Sequence, residues 1–185
     1  MKEKIWTSEL NSRDGVWSGF DRSKPVNFYD TTLRDGEQAV GVVFTPEEKF
    51  EIAVALSELG VGRIEAGFPR VSKADSQAVK NILEAGLKAE IWGFSRALAA
   101  DLDALIELGI TATLIEISTS DIKMKAYGFD REKVLSRVGE SIRHATDHGM
   151  KVLFFPVDST RSDLNFLRQV YSTARDAGAS EVAVV

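Results

Sequence analysis

The chain contains no cysteine. A disulfide framework and a thiolate metal site are therefore excluded. Positive charge is not in excess either. The net charge is −5 and no basic block occurs, which argues against a nucleic-acid partner. No apolar run approaches the roughly 18 residues of a membrane span, so no membrane partner is expected. The first residues, Met1-Lys2-Glu3-Lys4-Ile5-Trp6, lack the apolar core of a signal peptide, and a cytoplasmic location follows by default. Neither GxGxxG nor GxxxxGK(S/T) is present, so the chain carries no dinucleotide fingerprint and no phosphate loop.

What is present suits one globular domain with a sizeable core: 185 residues, 44% hydrophobic and 28% charged. Residues 1–24 form an N-terminal arm without clear periodicity. Its apolar points, Trp6 and Trp17, are expected to pack it onto the body, since two exposed tryptophans would be costly. From residue 25 the pattern repeats. Strands are expected near 26–30, 61–66, 89–94, 111–117, 151–157 and 181–185. Helices are expected near 47–59, 75–85, 98–108, 131–147 and 164–177, each followed by a glycine. Strand and helix alternating about every 30 residues imply βαβ units and a parallel sheet.

Two folds begin this way, the doubly wound sheet and the (β/α)₈ TIM barrel. Polar and charged residues follow strands one to five alike, not a single switch point, which favours the barrel. A barrel needs about 250 residues, so residues 25–185 cover its first five to six βα units. Strands one and six would be open edges. The expectation is a truncated chain, or one completed by another polypeptide; a six-stranded open sheet is the less favoured alternative.

The most charged strand end is Phe28-Tyr29-Asp30-Thr31-Thr32-Leu33-Arg34-Asp35-Gly36-Glu37-Gln38. An apolar run, Pro25 to Tyr29, leads into it and reads as a short buried strand. Thr45-Pro46-Glu47-Glu48 then reads as a capping box that opens a helix. The charged loop thus lies where parallel α/β folds bind ligands. Asp35 is a hard oxygen ligand of the kind a divalent cation takes. Arg34 can fork onto a carboxylate or an enolate oxygen. Gly36 permits a tight turn, and Gln38 can orient a substrate oxygen. The alternative is a plain solvated loop.

This stretch, with Ile64-Glu65-Ala66-Gly67-Phe68-Pro69 and Ser118-Thr119-Ser120-Asp121, resembles the 2-isopropylmalate, homocitrate and citramalate synthases. These belong to the metal-dependent TIM-barrel superfamily that includes HMG-CoA lyase. The likeness covers about residues 26 to 185. It implies an acyltransferase that condenses acetyl-CoA with a 2-oxo acid in a Claisen-type step and then hydrolyses the thioester. It implies Asp35 as a ligand of Mg²⁺, Mn²⁺ or Zn²⁺, and Arg34 as the group that stabilises the developing alkoxide. Gln38 would touch the substrate or the metal's water, and Glu65 would orient Arg34 or the substrate. Arg96, Ser120 and Arg161 would line the mouth, the arginines facing a substrate carboxylate. A homodimer is implied for the full-length protein.

Three departures from the family's pattern stand out. Its His-x-His metal pair is absent; His144 and His148 lie in the helix before strand five and read as surface or helix-dipole partners. Lys123 stands where a histidine is usual. Strand five ends Val157-Asp158-Ser159-Thr160-Arg161, where Glu-Asp is usual, which removes a carboxylate from the mouth. Several readings stay open beside these. Arg161 could instead tie to Asp158 or Asp163, and Ser118, Thr119 and Ser120 could be plain loop hydroxyls. Lys123 and Lys125 read as a solvated loop, and Glu84, Lys88 and Glu90 as surface charges. The rival functions are a carbon–carbon lyase or aldolase of the same superfamily, and a non-catalytic chain that needs a complementing C-terminal part.

Overall fold

The computed structural model describes Arg13, Gly15, Ser18, Gly19, Asp21 and residues 23–185. The packing expected of Trp6 and Trp17 lies outside the described residues. The elements are β1 (Tyr29–Asp30), α1 (Pro46–Leu59), β2 (Arg63–Gly67), α2 (Lys73–Glu84), β3 (Glu90–Arg96) and α3 (Ala99–Glu107). They continue with β4 (Ala112–Ser118), α4 (Asp121–Tyr127), α5 (Arg131–Asp147), β5 (Lys151–Val157), α6 (Leu164–Asp176) and β6 (Glu181–Val182). The strands form one sheet in sequence order, and every neighbouring pair is parallel.

Local chemistry sets the helix ends. At α1 the Thr45 hydroxyl accepts from the Glu48 N–H, and the Glu48 carboxylate accepts from the Thr45 N–H at 2.7 Å. This satisfies two of the helix's unpaired donors. The helix stops at Gly60, whose φ of 94° suits a residue without Cβ. Ser72, Asp130 and Asp163 cap α2, α5 and α6 in the same side-chain manner as Thr45.

The sheet is curled into a partial barrel. β2 and β6 are four strand spacings apart, which is roughly 19 Å in a flat sheet. Yet Arg63 on β2 donates two hydrogen bonds to Glu181 on β6, at 2.8 and 2.7 Å. Lys151 on β5 likewise reaches Glu90 on β3 at 2.5 Å, and Glu90 also meets Arg63 at 3.4 Å. These four charges form the floor of the inner face. Above them the register sets Glu65 beside Trp92, Arg96 beside Glu116 and Ser118 beside Val157. The alternate residues point outward and are covered by helices, where Ile64, Ile115, Val152 and Phe154 join one core with Leu105 and Val138.

Four expectations are corrected. Glu90 is not a surface charge but part of the inner floor, because strand alternation turns it inward. Of the apolar run into β1, Val26 and Phe28 are exposed. β1 has one strand neighbour among the described residues, and none of those residues covers Val26 and Phe28. The apolar spacing of the first helix predicts a core-facing stripe of Phe50, Ile52, Ala53, Leu56 and Leu59; the first four meet the core, Leu59 is exposed, and Lys49 and Ser57 are buried beside Ala53. Lys123 and Lys125 lie in α4, a helix the apolar periodicity did not announce because it has seven residues and buries Met124 alone.

Candidate active site

The loop after β1 is wound by its own backbone. The Asp30 carboxylate accepts from the Thr32 N–H at 2.9 Å. The Thr31 carbonyl accepts from the N–H groups of Arg34, Asp35 and Gly36 at 3.1, 2.8 and 3.2 Å. A 3₁₀ turn follows at Gly36–Gln38. This winding drives Leu33 into the core and sends Arg34 across the mouth to β2.

There Arg34 Nε donates to Glu65 at 2.5 Å and Nη2 donates at 3.4 Å. The guanidinium lies 4.5 Å from the centre of the Phe94 ring, and its Nη1 reaches Asp35 at 3.0 Å. Three contacts from three elements therefore fix one cation, as sequence spacing alone could only suggest. Glu65 is fully buried, and its carboxyl is pushed up by burial, with Arg34 pulling back without cancelling the effect. The Tyr29 hydroxyl is buried next to Glu65 and has no hydrogen-bond partner among the described residues; burial first, and Glu65 second, push it far above the ordinary tyrosine value.

A buried ion network holds this loop from behind. Lys49 of α1, 2% exposed, pairs with Glu37 at 2.6 Å and with Asp75 of α2. Asp75 also accepts from the Phe68 N–H, and Glu37 accepts from the Phe44 N–H at 3.0 Å. Gly67 presses on the same carboxylate: a Cβ there would stand 2.8 Å from Asp75 Oδ2, and φ is +154°. The available signal was Lys49 in helical register with Ala53 and Ser57, the stripe of α1 that turns inward. Gln38 is exposed, at the rim of a cleft of about 380 Å³ shared with Arg34, Phe68 and Asp75.

The other expected residues sit on the mouth but are engaged. Arg96 donates to Asp101 at 2.7 and 2.9 Å. Arg161 donates to Asp158 at 2.6 and 2.9 Å, the tie that was the open alternative. Ser120 caps α4 and donates to Asp158 at 2.5 Å. Asp158 itself takes φ 63°, a left-handed backbone held in place by these partners. Arg161 and Ser120 hold its carboxyl below the usual range. His144 pairs with Asp103 at 2.7 Å and His148 with the His144 carbonyl at 2.8 Å, so both are used at the end of α5.

Glu116 was missed from the sequence, as Lys49 and Asp75 were. Glu116 is on the inner face of β4, half-buried, and its carboxylate makes no hydrogen bond or ion pair among the described residues. Burial pushes it up, against the pull of Arg34, Lys123 and Arg96. A polar residue inside a strand of Thr, Leu and Ile was the signal. As for a divalent cation, Asp35 offers one carboxylate, its side chain 60% exposed, but no cluster of three metal-ligating side chains occurs among the described residues. Those residues do not by themselves make a metal cage.

Comparisons with known proteins agree with this geometry. The HMGL-like family model matches residues 25–184. A 2-isopropylmalate synthase from Sulfurisphaera tokodaii is 48% identical over 164 residues, which is 88% of this chain and 42% of that protein. A homocitrate synthase, AksA, from Methanopyrus kandleri is 45% identical over 163 residues, 88% of this chain and 41% of that protein. The chain thus spans about two fifths of the length of these relatives. Among solved structures, an HMG-CoA lyase from Acinetobacter baumannii, in complex with coenzyme A and 3-methylmalate, superposes with TM-score 0.69 at 13% identity. That match covers 88% of this chain and 57% of the lyase.

Proposed function

The chain belongs to the HMGL-like family, and from that premise we propose that it forms part of an acyltransferase that condenses acetyl-CoA with a 2-oxo acid. The observation that carries the reading is Arg34, fixed by Glu65 and Phe94 at the barrel mouth with one edge left toward Asp35. As the ketone of a 2-oxo acid is attacked, its oxygen becomes an alkoxide. A guanidinium already held in place stabilises that charge without reorganising. Glu65 acts through Arg34: each of its two oxygens accepts from the guanidinium, and it is closed to solvent.

Asp35 is the residue of this chain that would contribute to a divalent cation, together with ligands beyond the described set. Gln38 stands where it could hold a substrate oxygen. Arg96, Arg161 and Ser120 are substrate-binding candidates whose present partners, Asp101 and Asp158, a substrate carboxylate would displace. The names of the relatives, two different synthases, support the acyl-condensing reading and leave the 2-oxo acid open. A homodimer of the full-length protein belongs to the same proposal.

The test is a thiol-release assay with acetyl-CoA, Mg²⁺ or Mn²⁺, and short, branched and dicarboxylic 2-oxo acids. It is run on this chain alone and together with a polypeptide that supplies the remaining barrel strands. Release that needs a 2-oxo acid and disappears in Arg34→Ala supports the reading. No release with any acid in either arrangement overturns it.

A further inference from the structure

We propose that Glu116 is the carboxylate that takes the proton from the acyl methyl group. This rests on the acyl-condensing reading above and names a residue for its first chemical step. Condensation cannot begin until the methyl carbon of the thioester gives up a proton, so the mouth needs a base with a free lone pair.

The neighbouring carboxylates are engaged. Glu65 is closed to solvent and its oxygens are taken by Arg34. Asp158 is taken by Arg161 and Ser120. Asp101 is taken by Arg96, and Asp75 by Lys49 and the Phe68 N–H. Asp35 is more than half exposed and bonded to Arg34 at 3.0 Å. Glu116 alone combines an inner-face position, partial burial and no hydrogen-bond or ion-pair partner among the described residues.

Its surroundings suit the task. The charged groups that act on it are Arg34 from the β1 loop, Arg96 from β3, Lys123 from α4 and Glu65 from β2. It lines a cleft of about 290 Å³ with Arg96, Ser118 and Tyr127. Val157, on β5, occupies the same inner face two residues further along: Ser118 is in register with Val157, and Glu116 with Phe155. With strands about 4.8 Å apart and about 3.3 Å per residue, the two Cα atoms are roughly 8 Å apart. The β5 strand end therefore supplies an apolar wall, and the carboxylate comes from β4.

The step balances. The Glu116 carboxylate accepts the methyl proton, and the C–H electron pair passes to the thioester as an enolate. The enolate carbon forms the new carbon–carbon bond to the ketone carbon. The ketone π pair moves to its oxygen, beside Arg34, and that alkoxide takes up the proton that Glu116 holds. Water later cleaves the thioester.

The experiment compares wild type, Glu116→Gln, Glu116→Asp, and Glu116→Gln combined with Val157→Glu. In Glu116→Gln, kcat is expected to fall about 10²–10⁴-fold, the usual weight of a positioned base. KM for the 2-oxo acid should move by less than about threefold. Exchange of acetyl-CoA methyl protons with D₂O should be lost, while Glu116→Asp and the double variant recover part of both. Unchanged kcat in Glu116→Gln, or a loss carried by KM alone, overturns the assignment. A wild-type chain silent in turnover with every 2-oxo acid, alone and complemented, sinks the acyl-condensing reading instead. Glu116 is then judged by carboxyl titration in ¹³C NMR, assigned with Glu116→Gln. A value above the ordinary glutamate range supports a poised base, and a value at or below it overturns one.

Discussion

At the scale of single residues, the pair Arg34–Glu65 carries the site. Both side chains are withdrawn from water, Arg34 11% exposed and Glu65 not at all. Removing one partner of such a pair leaves the other as an uncompensated buried charge. Glu65→Ala is expected to destabilise the fold by about 3 kcal/mol, measured by urea unfolding, with the β1 loop losing hydrogen-exchange protection. Glu65→Gln keeps the shape and an acceptor, so its cost should be smaller. A Glu65→Ala chain as stable as wild type would mean that Arg34 does not depend on Glu65 and that the fork is not fixed.

At the scale of elements, α1, α2 and the strand ends hold one another through Lys49, Glu37 and Asp75. Gly67 is the tightest point, because its backbone lies against the Asp75 carboxylate with no room for a side chain. Gly67→Ala should cost about 1–3 kcal/mol in thermal or chemical unfolding. It should also disturb the Phe68 N–H bond to Asp75, seen as faster exchange of that amide. A neutral substitution would show that the loop can yield by several tenths of an ångström without penalty. Asp35 belongs to the neighbouring loop, after β1. With one carboxylate and no cluster of three metal-ligating side chains among the described residues, this chain alone is expected to bind Mg²⁺, Mn²⁺ or Zn²⁺ with a dissociation constant of about 1 mM or weaker. Calorimetry beside Asp35→Ala checks this. Tighter binding that Asp35→Ala abolishes would mean that further ligands within the chain take part.

At the scale of the whole molecule, the floor charges record how far the sheet curls. The Arg63 fork holds the Glu181 carboxyl below the usual range. At Glu90 burial pushes up, but Lys151, Trp92 and Arg63 outweigh it and leave the group lowered. A carboxyl whose folded value lies below its unfolded value of about 4.3 adds stability above that value. The gain is lost as pH falls through the folded value. Stability should therefore drop between about pH 5 and pH 3, and the slope should be shallower in Arg63→Met. The floor is partly open to water, so each pair is worth about 1 kcal/mol or less. An unchanged slope in Arg63→Met would mean that the β2–β6 pair does not persist in solution.

The sequence by itself determined the alternation of strand and helix, the caps, and the charged loop at a strand end. These are local: periodicity, Thr45 with Glu48, and the glycine after each helix act over a few residues. It also placed Arg34 and Glu65 at neighbouring strand ends, since consecutive βα units put β1 beside β2. Tertiary structure alone decided three further matters. Curling brought Arg63 to Glu181 across 118 positions, turning Glu90 from a surface charge into a floor residue. Helix packing put Lys49 between two carboxylates although lysine is usually exposed. The register of β4 against β3 and β5 set Glu116 inward, with no hydrogen-bond or ion-pair partner among the described residues, near Arg34, Arg96 and Lys123. Each depends on which side chains meet after distant segments dock, and spacing along the chain holds no record of that.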